Sequence, residues 1–329
     1  METTQILVII SLSCLLISLV SSLFPKIPII VKNCFFLVAV ILLATSQVVS
    51  PKSDFDYLNL GDQKGWNEIL AKQRLNKPNR YFSKLADKLE AKKITSLPSP
   101  RVLWVGSTEN DIDSLPSAQL PKKYMIKANH GSGWNILVDL DKEKSQWRKI
   151  KKKCKNWLNS KYSGNELHYH DIPPRIFVEE FIDILGELKF HCFNGQVVFI
   201  EHYPNRWVSR EQGWYTRDWK TLEIHDSYPI YKKKYEKSEF LDELIKIIER
   251  EVQNLNYVRF DVIQTPEGYK FGEYTLPPNG LHKDTLKPHS FEQLLGRFLE
   301  SGRNDLGKLY FFIEPEKDWL YQYFDRVVT

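Results

Sequence analysis

The chain has 329 residues, with 46 Lys and Arg against 41 Asp and Glu, a formal net charge of +5. That length admits about two domains and a sizeable core, and the modest charge, without a zinc-finger, RRM or KH signature, speaks against a nucleic-acid partner. Cys14, Cys34, Cys154 and Cys192 are scattered and form no C-x-x-C pair, which leaves neither a disulfide framework nor a thiolate zinc site and points to a reducing compartment.

Residues 1–50 hold two apolar runs, Ile6 to Phe24 and Ile27 to Val49, each close to the ~20 residues of a membrane helix. Pro25, Lys26 and Pro28 break them, so a transmembrane helical hairpin with both ends on one side of the bilayer is expected. A signal peptide followed by one span is the rival. The first residues carry Glu2 and no Lys or Arg, against the usual basic start of such a peptide. Lys26 and Lys32 in the outer loop run against the positive-inside bias, while Lys52 and the basic region beyond agree with it. A single span or a segment lying on the membrane stays open.

Residues 51–120 form a helix-rich lead-in. Trp66 to Leu75 and Tyr81 to Lys92 have helical spacing, the second through Phe82, Leu85 and Leu89, and it closes near Thr95 and the Pro98/Pro100 pair. Val102 to Val105 reads as a strand ending at Gly106, and a polar connection with Pro116 and Pro121 follows. No chemistry is expected here, and a solvated helix face explains the lysines.

Residues 121–195 open on Tyr124 to Gly133, Y-M-I-K-A-N-H-G-S-G. A short strand ends at Lys127 and dissolves into a glycine loop. Backbone N–H groups at Gly131, Ser132 and Gly133 beside a fixed ammonium suit a polyphosphate, although Gly-Ser-Gly is equally an ordinary turn. His130 either touches phosphate or caps the turn. Trp134 to Leu140 returns as a strand, making a hairpin whose tip can fold over a phosphate chain. Asp141 then caps a helix from Lys142 to Tyr162, with Trp147, Ile150, Cys154, Trp157 and Leu158 on one face. The other face carries Lys144, Arg148, Lys149, Lys151, Lys152, Lys153 and Lys155, either a solvated face or a contact for anionic lipid headgroups. His168 to Asp171 precedes Pro173-Pro174, fits no metal motif and reads as a loop. Arg175 to Ile182 is a buried strand ending in Glu179 and Glu180, either the wall of an adenine slot or a strand stopping at a charged turn. Lys189 to Phe193 and Gln196 to His202 flank Asn194-Gly195, a strong hairpin signal. Lys189 is a candidate second phosphate cation.

In residues 196–329, Arg206 lies in an N-R-W triplet, and Gly213 to Trp219 is an aromatic loop suited to an acceptor or to packing. Ser238 caps a helix from Glu239 to Asn254, with Phe240, Leu241, Leu244, Ile247, Ile248 and Val252 inward. Two strands follow, Tyr257 to Ile263 and Tyr269 to Thr275, the second with Phe271, Glu273 and Thr275 on one face. A three-residue loop, Pro266-Glu267-Gly268, pairs Thr265 with Tyr269, hence Asp261 with Glu273 and Arg259 with Thr275. Directly opposed side chains sit about 5 Å apart at Cβ. Two acids there repel unless a cation joins them, and magnesium held by one or two carboxylates plus phosphates resolves the conflict. A slip of one residue would instead leave a charged outer face.

The order K-A-N-H-G-S-G, V-E-E-F-I, L-K-F-H-C-F-N-G, N-R-W, R-F-D-V-I and F-G-E-Y-T, over Lys122 to Leu295, resembles the TupA-like branch of the ATP-grasp superfamily. The resemblance implies an α+β ATP-grasp fold, two α+β subdomains enclosing ATP, with residues 121–195 as the nucleotide lid and 196–329 as the metal and acceptor part. It matches Lys127 to the family's first lysine and Gly131 to Gly133 to the loop that covers the phosphates, with His130 between them. Glu179, Glu180, Phe181 and Ile182, with Glu187 beyond them, fall on the nucleotide hinge. It also implies Arg259, Lys189 and Arg206 as the catalytic cations and Asp261 and Glu273 as ligands of Mg2+. Thr275 stands where the superfamily has Asn, with Asn279 as the substitute, and Pro277-Pro278-Asn279-Gly280 departs from the family's Gly- and Ser-rich pattern. The activity implied is ATP- and Mg-dependent ligation through an acyl phosphate. It joins an amine or amino acid to a carboxylated sugar or polysaccharide precursor, at the membrane, with the catalytic domain facing the cytoplasm. A glycosyltransferase of polysaccharide biosynthesis and a non-catalytic nucleotide-binding scaffold are the alternatives.

Overall fold

In the computed structural model, the described residues are 64–75, 80–143, 146–162, 166–205, 208–209, 211–231, 233–277 and 286–313. All belong to one unit, Leu60–Thr329. The expected membrane hairpin, Arg206 and Asn279 lie outside the described residues, among which no helix is long and apolar enough to cross a membrane.

The alternation on either side of the glycine loop folds as expected into an antiparallel pair, β2 (Lys123–Ala128) and β3 (Asn135–Asp139). β4 (Ile176–Glu180) pairs antiparallel with β2, and β1 (Val102–Gly106) with β4, giving the order β1-β4-β2-β3. The lead-in therefore supplies an edge strand of this sheet. Among the remaining lead-in and lid elements are helices α1 (Trp66–Leu75), α2 (Arg80–Ala86), α3 (Lys88–Ile94), α4 (Glu109–Asp113), α5 (Leu140–Glu143) and α6 (Trp147–Leu158). Ile150, Cys154 and Trp157 of α6 form a buried cluster with Tyr124, Ile126, Val138 and Val178 of the sheet. This is the face that their three- and four-residue spacing dictates.

A second sheet has the order β7-β6-β5-β8-β9, all antiparallel: β5 (Gly186–Phe193), β6 (Gln196–Tyr203), β7 (Gly213–Thr216), β8 (Tyr257–Thr265) and β9 (Gly268–Thr275). Asn194 and Gly195 both have positive φ, 48° and 77°, the geometry that the tight β5–β6 turn requires. Because β5 sits inside this sheet, the two sheets divide within residues 181–185 rather than at 195. Leu241, Leu244, Ile248 and Val252 of α7 (Leu241–Val252) cover one sheet face, packing on Phe190, Ile200 and Phe260. Phe240, expected inward, is 51% exposed just before the helix.

The opposite face of the second sheet changes character along its strands. At one end Phe193, Phe199 and Tyr257 close around Trp66 of α1, and Phe291 of α8 (His289–Ser301) packs on Phe199. At the other end the same face is charged.

The β8–β9 register reaches the expected pairs by another route. Thr265 pairs with Gly268, so the turn is one residue tighter than the spacing suggested. A bulge at Gly272 then restores Asp261 opposite Glu273 and Arg259 opposite Thr275. It also turns Phe271 to the α7 side, away from Glu273, where it packs on Phe260 and Tyr274. A Cβ on Gly272 would stand 3.0 Å from the Asp261 carbonyl oxygen, so a side chain there would press on the backbone that carries Asp261.

Candidate active site

Strand register lays four charged residues in a row across the second sheet: Glu201, Lys189, Asp261 and Glu273. Arg259 and Thr275 lie one step along the same face. Arg259 grips Asp261 with both ends of its fork, Nε to Oδ1 and Nη2 to Oδ2, each at 2.7 Å. Its Nη2 also donates to the Thr275 hydroxyl at 3.0 Å, and that hydroxyl donates to Glu273 Oε1 at 3.3 Å. Burial works against the charge of Glu273, but Lys88 first, then Arg259, Lys189 and Lys127, hold it below the usual carboxylate range. Glu201 is buried. Burial opposes its charge too, and Lys189, His191 and Arg259 outweigh it and hold the carboxyl far below that range. Tyr203 donates to Glu201 Oε1, and the Lys189 ammonium lies 4.8 Å from the centre of the Tyr203 ring.

The glycine loop faces this row through a residue that sequence reasoning assigned to solvent. Lys88 of α3 donates to the Gly131 carbonyl at 2.6 Å, and its Nζ stands 4.0 Å from Glu273 Oε2. One helical turn on, Lys92 reaches Glu179 at 2.8 Å. These side chains are only 17% and 11% exposed, which corrects the solvated-face reading of the lead-in. Burial pushes both ammonium groups below the usual lysine range. Asp87 fixes the helix that carries them. Its carboxylate caps the Leu89 N–H at 2.9 Å and accepts from Arg175, at the start of β4, at 2.7 Å. The signal in the sequence is Asp87 in an N-cap position followed by lysines four apart, on a helix whose other face holds Leu89 and Ala91.

On the first sheet, Lys127 and Glu179 are diagonal neighbours on β2 and β4, joined at 2.5 Å. Glu179 is thus a buried carboxylate bracketed by two lysines. Burial favours its neutral form, but Lys127 and then Lys92 hold it below the usual carboxylate range. Glu180 instead faces the sheet edge, accepting from the Arg101 backbone N–H at 2.9 Å. Phe181 is exposed beneath the Lys123 ammonium, and Glu187 lies opposite Tyr203 and Ile263. His130 is buried with both ring nitrogens engaged, by Asn129 Oδ1 at 3.1 Å and the Trp157 carbonyl at 3.0 Å, so it holds the loop to α6. Gly131 packs where a Cβ would stand 2.7 Å from Tyr162 and 2.9 Å from Trp134, and Gly133 has φ 69°. Ser132, between them, is exposed.

Asp261, Glu273 and the Thr275 hydroxyl are hard oxygen donors of the kind magnesium takes, in the number it takes from a protein when phosphates and water supply the rest. They fit that ion on one condition: the Arg259 fork, which occupies both Asp261 oxygens, has to release at least one. Among the described residues no group of three or more His, Cys, Asp or Glu is arranged to hold a metal. The chain also has D-x-D spacings at residues 54–56, 111–113 and 139–141. The first lies outside the described residues. In the second, Asp111 caps α4 and Asp113 binds Lys155. In the third, Asp139 and Asp141 face Lys123 and Lys122.

A family model described as TupA-like ATP-grasp matches residues 68–300. No curated protein matches the chain. Among solved structures it is similar to D-alanine–D-alanine ligase from Bacillus anthracis complexed with ATP (16% identity, TM-score 0.39), over 70% of this chain and 63% of that one. It is also similar to the ATP-grasp ligase PsnB complexed with a minimal precursor (12% identity, TM-score 0.37), over 68% and 61%. A third is the Chryseobacterium gregarium RiPP-associated ATP-grasp ligase in complex with ADP and a leader and core peptide (13% identity, TM-score 0.38), over 71% and 67%. The chain thus spans under two thirds of the length of the first two.

Proposed function

This chain belongs to the TupA-like ATP-grasp family, and on that premise we propose that it is an ATP- and magnesium-dependent carboxylate–amine ligase acting on a carboxylated sugar polymer or its precursor. The observation that carries this reading is Lys88, which reaches both the Gly131 carbonyl of the loop and Glu273 of the opposed acid pair. That contact supports a single site in which the loop would meet the phosphates and the acid pair the metal.

In this reading Lys127, Lys88 and the loop amides of Gly131, Ser132 and Gly133 hold the ATP phosphates. The backbone from Glu179 to Ile182 takes the base, and Glu187 the sugar of the nucleotide. Asp261, Glu273 and Thr275 hold magnesium, which when bound neutralises phosphate charge. The acceptor carboxylate attacks the γ-phosphorus, forming an acyl phosphate and releasing ADP. Arg259, freed from Asp261, meets the charge on the transferred group. An amine then attacks the acyl carbon and expels phosphate, leaving an amide. Lys189, the strand partner of Glu201, adds a second cation beside the phosphates, and Arg206 is read as a further catalytic cation. Residues 1–50 hold the protein in the bilayer as a helical hairpin, with the ligase domain on the cytoplasmic side where ATP is present.

The test is a screen for ADP release by the full chain over a panel of uronic acids paired with amino acids. Release that requires both partners identifies the acceptor class. Sugar transfer from a nucleotide sugar, with no ATP consumed, would replace the reading with a glycosyltransferase.

A further inference from the structure

Helix α6 carries Arg148, Lys149, Lys151, Lys152, Lys153 and Lys155 and no acid. One short helix thus holds more positive charge than the whole chain's net +5. Its cations divide by direction. Lys151 and Lys155 turn back to α4, donating to the Asp113 carbonyl at 2.6 Å and the Asp113 carboxylate at 2.7 Å. Ile150, Cys154 and Trp157 face the sheet. Arg148, Lys149, Lys152 and Lys153 are left on the outward side, exposed. Lys153 lies over the Trp157 ring, and among the described residues no carboxylate is paired with any of these four.

We propose that this face of α6 docks on the anionic headgroups of a membrane leaflet. Four exposed cations on one helix face, none paired with a carboxylate among the described residues, suit phosphate-bearing lipid, and clusters of about this size bind it through summed attraction that falls off within a Debye length. Lipid is favoured over a soluble polyanion because the same chain carries two apolar runs of membrane-helix length, Ile6 to Phe24 and Ile27 to Val49. These keep a bilayer at high local concentration. The proposal rests on the membrane attachment read above. It adds a second contact, through the lid sheet that carries the glycine loop.

The experiment uses the full chain with phosphatidylcholine vesicles, with and without phosphatidylserine. Lysine acetylation is followed residue by residue, and carbonate extraction reports separately whether the apolar runs anchor the chain. The expected result is several-fold slower labelling of Lys149, Lys152 and Lys153 on the phosphatidylserine vesicles only, with Lys234 and Lys246 unchanged. Half-molar salt should erase the difference, and Lys149→Gln with Lys152→Gln should erase it at Lys153. Equal labelling on both vesicles overturns the docking surface even where the chain resists extraction. Equal protection by a soluble polyuronate with neutral vesicles assigns the face to a polyanion and overturns the lipid reading. A chain that extracts freely yet shows the selective protection retains the docking surface and refutes the anchor alone.

Discussion

Arg259 and Asp261 face the same way from one strand, two residues apart, and the guanidinium of one closes on both carboxylate oxygens of the other at 2.7 Å. Side chains two apart on a strand share a face, and here the sharing makes a buried pair that is also the centre of the candidate site. Both are mostly enclosed, 11% and 13% exposed. Removing one partner strands the other's charge. Arg259→Gln is expected to cost about 3–5 kcal/mol of stability, and the double variant Arg259→Gln/Asp261→Asn distinctly less than the sum of the single changes. Urea unfolding of the four proteins of this cycle checks it.

Lys88 and Lys92 are predicted to matter for nucleotide and their exposed neighbour Lys93 not to. A hydrogen bond from a charged donor contributes about 1.5–3 kcal/mol, so Lys88→Met should weaken ATP binding roughly tenfold to a hundredfold. Lys93→Met, which removes a side chain that is 68% exposed and pairs with Glu90, should leave it unchanged. Titration of each variant with ATP and magnesium decides the matter.

How much of this was legible in the sequence differs from element to element. The Asn194-Gly195 hairpin and the inward faces of α6 and α7 followed from turn chemistry and spacing, because those are local. The spacing gives the Asp261–Glu273 pairing through a loop one residue longer than the real one, and the Gly272 bulge makes up the difference. A bulge gives no periodic signal, so simple alternation puts Phe271 on the Glu273 face, which the structure does not. Lys88 and Lys92 were unreadable for a different reason. Charges on a helix indicate solvent unless something distant covers them, and the covering groups here, Gly131, Glu179 and Glu273, lie far along the chain. The same holds for β1, which finds its partner β4 about seventy residues later. His130, read as a phosphate contact or a turn cap, holds the loop to α6 through Trp157.

Gly272 should be sensitive out of proportion to its size. A side chain there must push against the backbone that presents Asp261. Gly272→Val is expected to cost about 1–3 kcal/mol, the range for overpacking. The protein should stay folded while turnover falls at least tenfold, because the acid pair moves apart. Circular dichroism alongside ADP release separates the two effects.

Stability should fall on acidification through a buried histidine. His202 contacts the Tyr231 hydroxyl at 2.9 Å, and burial pulls its pKa down to about 4. In the unfolded chain it titrates near 6.5. Between those values the unfolded chain binds a proton that the folded protein refuses. The stability is therefore complete above about pH 6.5 and declines as pH drops toward 4, by up to about 1.4 kcal/mol per unit. His130 and His191, also lowered by burial, act with the same sign. Urea midpoints across this range should show a shallower slope for His202→Gln.

The most direct measurement is calorimetry of the full chain with ATP, with and without magnesium, beside its Asp261→Asn variant. The account predicts binding that depends on magnesium in the native protein and loses that dependence in the variant. Affinity that is indifferent to magnesium, or unchanged by Asp261→Asn, would contradict the assignment of the β8–β9 acid pair as the metal end of an ATP site.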